Sequence, residues 1–93
     1  MSDRNGVYSA SALLRTGKGQ LIGAVITNSS ATPATATFYD NTAGSGTKLL
    51  EAHVSSSRPF EVFFSERMAL DFSTGLYLAL GSNLSATVWW REY

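Results

Sequence analysis

The chain of 93 residues contains no cysteine. That excludes disulfides, thiolate metal sites and a cysteine nucleophile together; it leaves the redox compartment open. Charge is scarce too. Seven basic and seven acidic residues make up 15% of the chain, against about 25% in an average globular domain. The two signs cancel, so no net field draws the protein to phosphate backbones or anionic lipid. Neither nucleic acid nor a membrane is expected as a partner. No run approaches the roughly 18 apolar residues of a membrane span. Met1 to Gly6 is polar and lacks the apolar stretch of a secretion signal, so synthesis in a cytoplasm is expected.

Hydroxyl groups fill the gap left by charge, with thirteen serines and nine threonines. A chain this short forms one domain and buries only about 60–65% of its unfolded surface. Its stability margin is modest, and association with other copies is a common remedy. Low surface charge weakens repulsion in solution, which suits a protein that ends packed against neighbours.

Turn residues recur about every ten positions, the rhythm of an all-β domain. About eight strands are predicted, over Val7–Leu14, Gln20–Thr27, Ala34–Tyr39, Thr47–Val54, Phe60–Phe64, Met68–Phe72, Leu76–Leu80 and Ala86–Arg91. Thr16-Gly17-Lys18-Gly19 reads as a hairpin turn, and Ser65–Arg67 as a short helical corner. No longer window carries a 3.6-residue period. The expected fold is a single small β-sandwich or jelly roll of antiparallel strands over residues 7–93, preceded by a polar arm over residues 1–6.

Alternation assigns faces. Leu76, Leu78 and Leu80 share one side of their strand, and Ala86, Val88 and Trp90 one side of theirs. The stretch Leu21, Ile22, Ala24, Val25, Ile26 is apolar on both sides. Such a strand is covered twice, and cover by another subunit is the expected reason. Trp89-Trp90-Arg91-Glu92-Tyr93 is the most unusual local feature. Its two indoles must point to opposite faces. Trp90 fits the core with Val88, leaving Trp89 with Arg91 and Tyr93 on the other side. Trp, Tyr and Arg are enriched at contact hot spots. Leu21, Ile22, Tyr77, Trp89, Arg91 and Tyr93 are therefore the candidate residues for a subunit or capsid contact. Flat aromatics also stack on sugar rings, so a carbohydrate platform through Trp89 and Tyr93 is the alternative.

Little points to chemistry. His53 is the single histidine; it lies mid-strand, and no nucleophile-elbow pattern accompanies it. One histidine without cysteine argues against zinc. The carboxylates Asp3, Asp40, Glu51, Glu61, Glu66, Asp71 and Glu92 could pair in space, but so small a domain leaves little room for a deep cleft. Asp40-Asn41-Thr42 before Gly44 lacks the spaced acids of a calcium loop and reads as an Asx turn. Asn28-Ser29-Ser30 and Asn83-Leu84-Ser85 match the glycosylation sequon without a secretory context. No catalytic residue, metal or cofactor is expected.

The runs Leu21-Ile22-Gly23-Ala24-Val25-Ile26-Thr27-Asn28-Ser29-Ser30 and Ala36-Thr37-Phe38-Tyr39-Asp40-Asn41-Thr42-Ala43-Gly44-Ser45-Gly46-Thr47-Lys48-Leu49-Leu50, with the ending Gly75-Leu76-Tyr77-Leu78-Ala79-Leu80 and Ala86-Thr87-Val88-Trp89-Trp90, have a recognisable order. Over roughly residues 7 to 91 the chain resembles small β-sandwich virion proteins of tailed bacteriophages, of the capsid decoration or cement type. The resemblance implies a structural protein on the virion surface, assembled as a homo-oligomer (a trimer is expected) and bound to the major capsid protein or another virion protein. It implies no catalytic residues.

Overall fold

Alternating side chains and frequent turn residues produce strands almost throughout. The computed structural model describes residues 2–55, 58–65 and 69–92. Nine strands follow in chain order: β1 (Ser2–Tyr8), β2 (Ala12–Thr16), β3 (Gly19–Asn28), β4 (Ala34–Asp40), β5 (Thr47–Val54), β6 (Phe60–Phe63), β7 (Leu70–Phe72), β8 (Gly75–Leu80) and β9 (Leu84–Glu92). One sheet has the order β1-β9-β3-β6, with β7 also paired to β3; the other has the order β2-β8-β4-β5. All pairings are antiparallel. The pairs nest: β1 with β9, β2 with β8, β3 with β6, β4 with β5. A folded ribbon nested in this way, wrapped into two sheets, is the jelly roll. The expected small antiparallel β-sandwich forms, with the strand order of a jelly roll.

The core lies between the sheets. Leu21, Ala24, Ile26, Phe72, Leu84, Ala86, Val88 and Trp90 enter it from the first sheet, and Ala36, Phe38, Ala52, Val54, Leu76 and Leu78 from the second. Each large aliphatic or aromatic side chain buried there stabilises by about 1.5–3 kcal/mol. The face assignments for Leu76 and Leu78, and for Ala86, Val88 and Trp90, hold.

The assignment for β3 does not. Leu21 pairs with Trp90 and Gly23 with Trp89, so Ile22 is an extra residue with no counterpart on β9. A bulge of one residue reverses the phase of alternation. Leu21 faces the core before it, and Ala24 and Ile26 face the core after it. The strand that reads as apolar on both sides is largely one-sided. Leu21 is fully buried by its own chain and offers nothing to a subunit.

The amino-terminal region also differs from expectation. From Ser2 onward the polar stretch belongs to β1, in register with β9 from Ser2↔Glu92 to Tyr8↔Ala86. The single strand expected over Val7–Leu14 is two strands in different sheets. Ser11 marks the crossing: its hydroxyl accepts the Leu80 N–H at 2.9 Å, substituting for a strand partner. Gly17-Lys18-Gly19 is likewise a crossing between sheets, since β2 and β3 do not pair. Gly17 has φ +103°, a conformation that favours glycine, and its N–H reaches Thr74 O at 2.9 Å. Most of the expected corner over Ser65–Arg67 lies outside the described residues, as does Met68.

Two polar side chains fasten the loops. Asn28 donates to Thr32 O at 2.9 Å and Val54 O at 3.0 Å, and accepts the Ser30 N–H at 2.8 Å. With both amide donors engaged, it is a structural clamp rather than a glycosylation acceptor. Asp40 accepts the N–H groups of Ser73 (3.1 Å), Thr74 (2.9 Å) and Gly75 (3.4 Å). Burial pushes its carboxyl up, but these N–H bonds outweigh that and hold it below the ordinary value. The loop that resembles a calcium ligand set is thus spent on the β7–β8 turn.

Two measurements test this description. Leu21→Ala will lower the unfolding free energy in urea by about 2–5 kcal/mol, whereas a surface contact residue would shift it by no more than about 0.5 kcal/mol. Asp40→Ala will cost on the order of 1 kcal/mol near neutral pH. Because the folded carboxyl titrates below the unfolded one, its contribution is full above the unfolded value of about 4. It fades as pH falls through the folded value. The gap between wild type and Asp40→Ala should therefore close in acid; a gap that persists at pH 2 would contradict the assignment.

Candidate functional site

The outer face of the first sheet carries the most distinctive surface. On β9 the residues between core positions, Ser85, Thr87, Trp89 and Arg91, point away from the core. Strand register arranges this face in rows. Asn5, Trp89, Gly23 and Phe63 lie side by side across β1, β9, β3 and β6. Val7, Thr87, Val25 and Glu61 form the next row. Arg91, Gln20 and Asp71 form the row on the other side, where Gln20 donates to Asp71 at 2.9 Å.

The middle row is aromatic because of one glycine. Gly23 lies between Trp89 and Phe63, and their rings close over it with centroids 5.1 Å apart and planes inclined at 52°. A Cβ on Gly23 would collide with the Phe63 ring and would lie 2.6 Å from Val62 O. The bulge at Ile22 places this glycine on the outer face. The result is an aromatic pair with apolar Val25 and Val7 beside it and polar rows around it. Phe63 is 60% exposed and Val7 75% exposed. An apolar centre with a polar rim is the usual anatomy of a protein contact patch.

Only part of the sequence-based set gathers here. Trp89 and Arg91 share this face. Ile22 sits half-buried in the bulge, its carbonyl accepting the Phe64 N–H at 2.7 Å. Leu21 lies in the core. Tyr77 lies on the outer face of the opposite sheet, beside Leu13 and Tyr39 in register. It is half-buried there, with the chain's own β4–β5 loop beside it: a Cβ on Gly44 would stand 3.2 Å from the Tyr77 ring. Tyr93 is outside the described residues. The sequence reading missed Phe63, Gly23, Val25 and Val7. Alternation in Phe60-Glu61-Val62-Phe63 carried a signal, because it sets Phe63 beside Glu61 on the outward side.

Among the described residues, the histidine and several of the carboxylates are engaged in hydrogen bonds and ion pairs. His53 is exposed on β5, with Nδ1 3.1 Å from Thr35 Oγ1 and Nε2 3.7 Å from Glu51. Glu51 also meets Lys48 at 2.9 Å. Glu92 receives Arg4 at 3.5 Å, Arg15 at 3.4 Å and the Trp90 indole N–H at 3.3 Å. That cluster ties β1 and β2, one from each sheet, to the end of β9. Among the described residues, no group of three or more histidine and carboxylate side chains could hold a metal ion.

Compared with known proteins, the chain matches no family model and no curated protein. Among solved structures it is similar to a chain of the virus-like particle of the giant freshwater prawn (Macrobrachium rosenbergii) extra small virus, determined by cryo-EM. The identity is 7%, the TM-score 0.37, and the match covers 100% of this chain and 82% of that one.

The aromatic row gives a test of its own. Gly23→Ala forces the Phe63 ring and the β6 backbone apart and should cost about 1–3 kcal/mol, as overpacking does. It should also shift the fluorescence of Trp89. A variant with wild-type stability and an unchanged emission spectrum would mean that the rings do not close over this position.

Proposed function

We propose that the chain is a structural protein of a virus particle and works by contact, without a catalytic step. The observation that carries this reading is the outward aromatic row Trp89–Gly23–Phe63 on a jelly roll of low charge. The jelly roll is an architecture common to viral capsid and lectin domains, and fold alone does not choose between them. The surface favours the first. A sugar platform needs an open ring face, whereas Trp89 is tilted against Phe63 at 52°. An aromatic pair with polar and charged side chains around it suits burial against another protein.

In its finer form, which the sequence resemblance supports, the chain decorates the outside of a tailed-phage capsid. Many copies would bury this face on the shell. A contact of standard size takes about 800 Å² from each partner, a minor part of the 5146 Å² that the folded chain exposes. Binding to the assembled shell but not to free capsid subunits shifts the equilibrium toward the shell by mass action.

Cosedimentation with purified particles of the virus that encodes the chain tests the proposal. Wild type should saturate a fixed number of sites per particle. Phe63→Ala should raise the dissociation constant by roughly tenfold or more, as loss of a contact anchor does. Failure of wild type to bind would sink the proposal. Capture on a glycan array that disappears in Trp89→Ala would replace it with a carbohydrate-binding module.

A further inference from the structure

Two sandwich sheets have four lateral edges, and three of them are poorly suited to pairing with another chain. β2 is five residues long with a register shift between Leu13 and Arg15. β5 is longer, but its ladder with β4 shifts between Phe38 and Tyr39, and Lys48, Glu51 and His53 are exposed along it. The edge beyond β3 is divided between β6, of four residues, and β7, of three. Short strands, bulges and exposed charge are the usual devices that blunt a sheet edge.

β1 is neither short nor bulged, although the charged side chain of Arg4 is exposed along it. It pairs with β9 over seven residues without a register shift, and among the described residues it has no other neighbour in the sheet. It contains no proline, so every residue keeps a backbone N–H. Arg4, Asn5 and Val7 are exposed along it. We propose that β1 joins two copies of this chain edge to edge, antiparallel, about a two-fold axis through Asn5.

The sequence of the strand selects both the partner and the register. Residues directly opposite in an antiparallel pair lie on the same face, so a two-fold register is centred on a residue or a pair that keeps this parity. Centring on Asp3 or on Arg4 sets like charges opposite each other, which is destabilising, and shortens the overlap. Centring on Gly6 leaves Ser2 and Asp3 unpaired. Centring on Asn5 pairs all seven residues: Ser2 with Tyr8, Asp3 with Val7, Arg4 with Gly6, and Asn5 with itself. No like charges face each other in that register. A strand that pairs with its own copy in this way closes as a two-fold dimer, not as the trimer that the sequence resemblance implies.

The absence of native cysteine makes the geometry directly testable. Cα atoms directly opposite across an antiparallel pair are about 4.5–5.5 Å apart, inside the range of about 4.4–6.8 Å that a disulfide needs. Asn5→Cys should therefore link two copies under mild oxidation, giving a covalent dimer on a non-reducing gel. Val7→Cys should not. Its own copy lies four residues along the partner strand, about 13 Å away. Phe63→Cys should not link either. Light scattering of the wild type should give twice the 10.0 kDa chain mass, and Asn5→Asp should weaken that dimer at neutral pH and restore it in acid.

A wild type that stays monomeric at all concentrations overturns the proposal. So does an Asn5→Cys variant with an unchanged circular dichroism spectrum that fails to cross-link. Linking through position 63 in its place would mean that copies meet by the outer face. None of these readouts depends on a virus particle, so they fail or succeed independently of the shell-binding assay.

Discussion

The central constraint is the path of β3 through the middle of its sheet. This strand pairs with β9 along one side and with β6 and β7 along the other. It must present apolar side chains to the core over ten residues. Strict alternation cannot do this with Leu21 and Ala24 both inside, because they are an odd number of positions apart. The bulge at Ile22 solves the problem by absorbing one residue. Two consequences follow. The core gains Leu21 opposite Trp90, and the outer face gains Gly23 where a side chain would otherwise stand. The aromatic pair Trp89–Phe63 closes over that gap. Core packing and the surface patch are thus two results of one irregularity in the ladder.

The ends of the sandwich are held by polar groups instead. At one end Glu92 collects Arg4, Arg15 and the Trp90 indole. Asp40 gathers three N–H groups of the β7–β8 turn, and Asn28 bridges two carbonyls. None of these bonds is individually large, at about 0.5–1.5 kcal/mol net for a neutral pair and somewhat more when one partner is charged. Their role is positional. A jelly roll crosses between sheets at most of its turns, and each crossing leaves backbone groups without ladder partners. Ser11, Asn28 and Asp40 occur at such places and supply the missing acceptor or donor.

What the sequence disclosed follows from where alternation is undisturbed. β8 and β9 alternate cleanly, and the inward positions Leu76, Leu78, Ala86, Val88 and Trp90 were legible for that reason. β3 was not, because a bulge leaves no mark in composition; Leu21 and Ile22 look like a two-sided apolar run until the pairing with β9 is known. β1 was obscured differently. Ser2 to Gly6 contains no apolar side chain, yet seven residues pair with β9, because an edge strand gains its ladder bonds regardless of side-chain polarity. The split between β1 and β2 at Ser9-Ala10-Ser11 carries no glycine or proline, so no turn signal announced it. At the candidate contact face, Trp89 and Arg91 were read from the crowded carboxyl terminus. Phe63 was masked by three other aromatic or aliphatic neighbours, Phe60, Val62 and Phe64, and Tyr77 was exposed by pattern but is half-buried beside a loop.

The exposed edge and the aromatic row belong to the same sheet, and this links the two surfaces physically. If two copies join through β1, their outer faces become one sheet of eight principal strands, about 34 Å across at a spacing of about 4.8 Å. The two Trp89–Phe63 pairs then point the same way at a fixed separation. A single patch built on one aromatic pair is a weak contact. Two patches held rigidly on one sheet bind as a unit. The second then engages at an effective concentration set by geometry, which can strengthen binding by about 10²–10⁴ without a new contact. A small, nearly uncharged domain gains affinity in that arrangement from rigidity and repetition, and a target that repeats its own surface at matching spacing, as an assembled shell does, is the kind that rewards it.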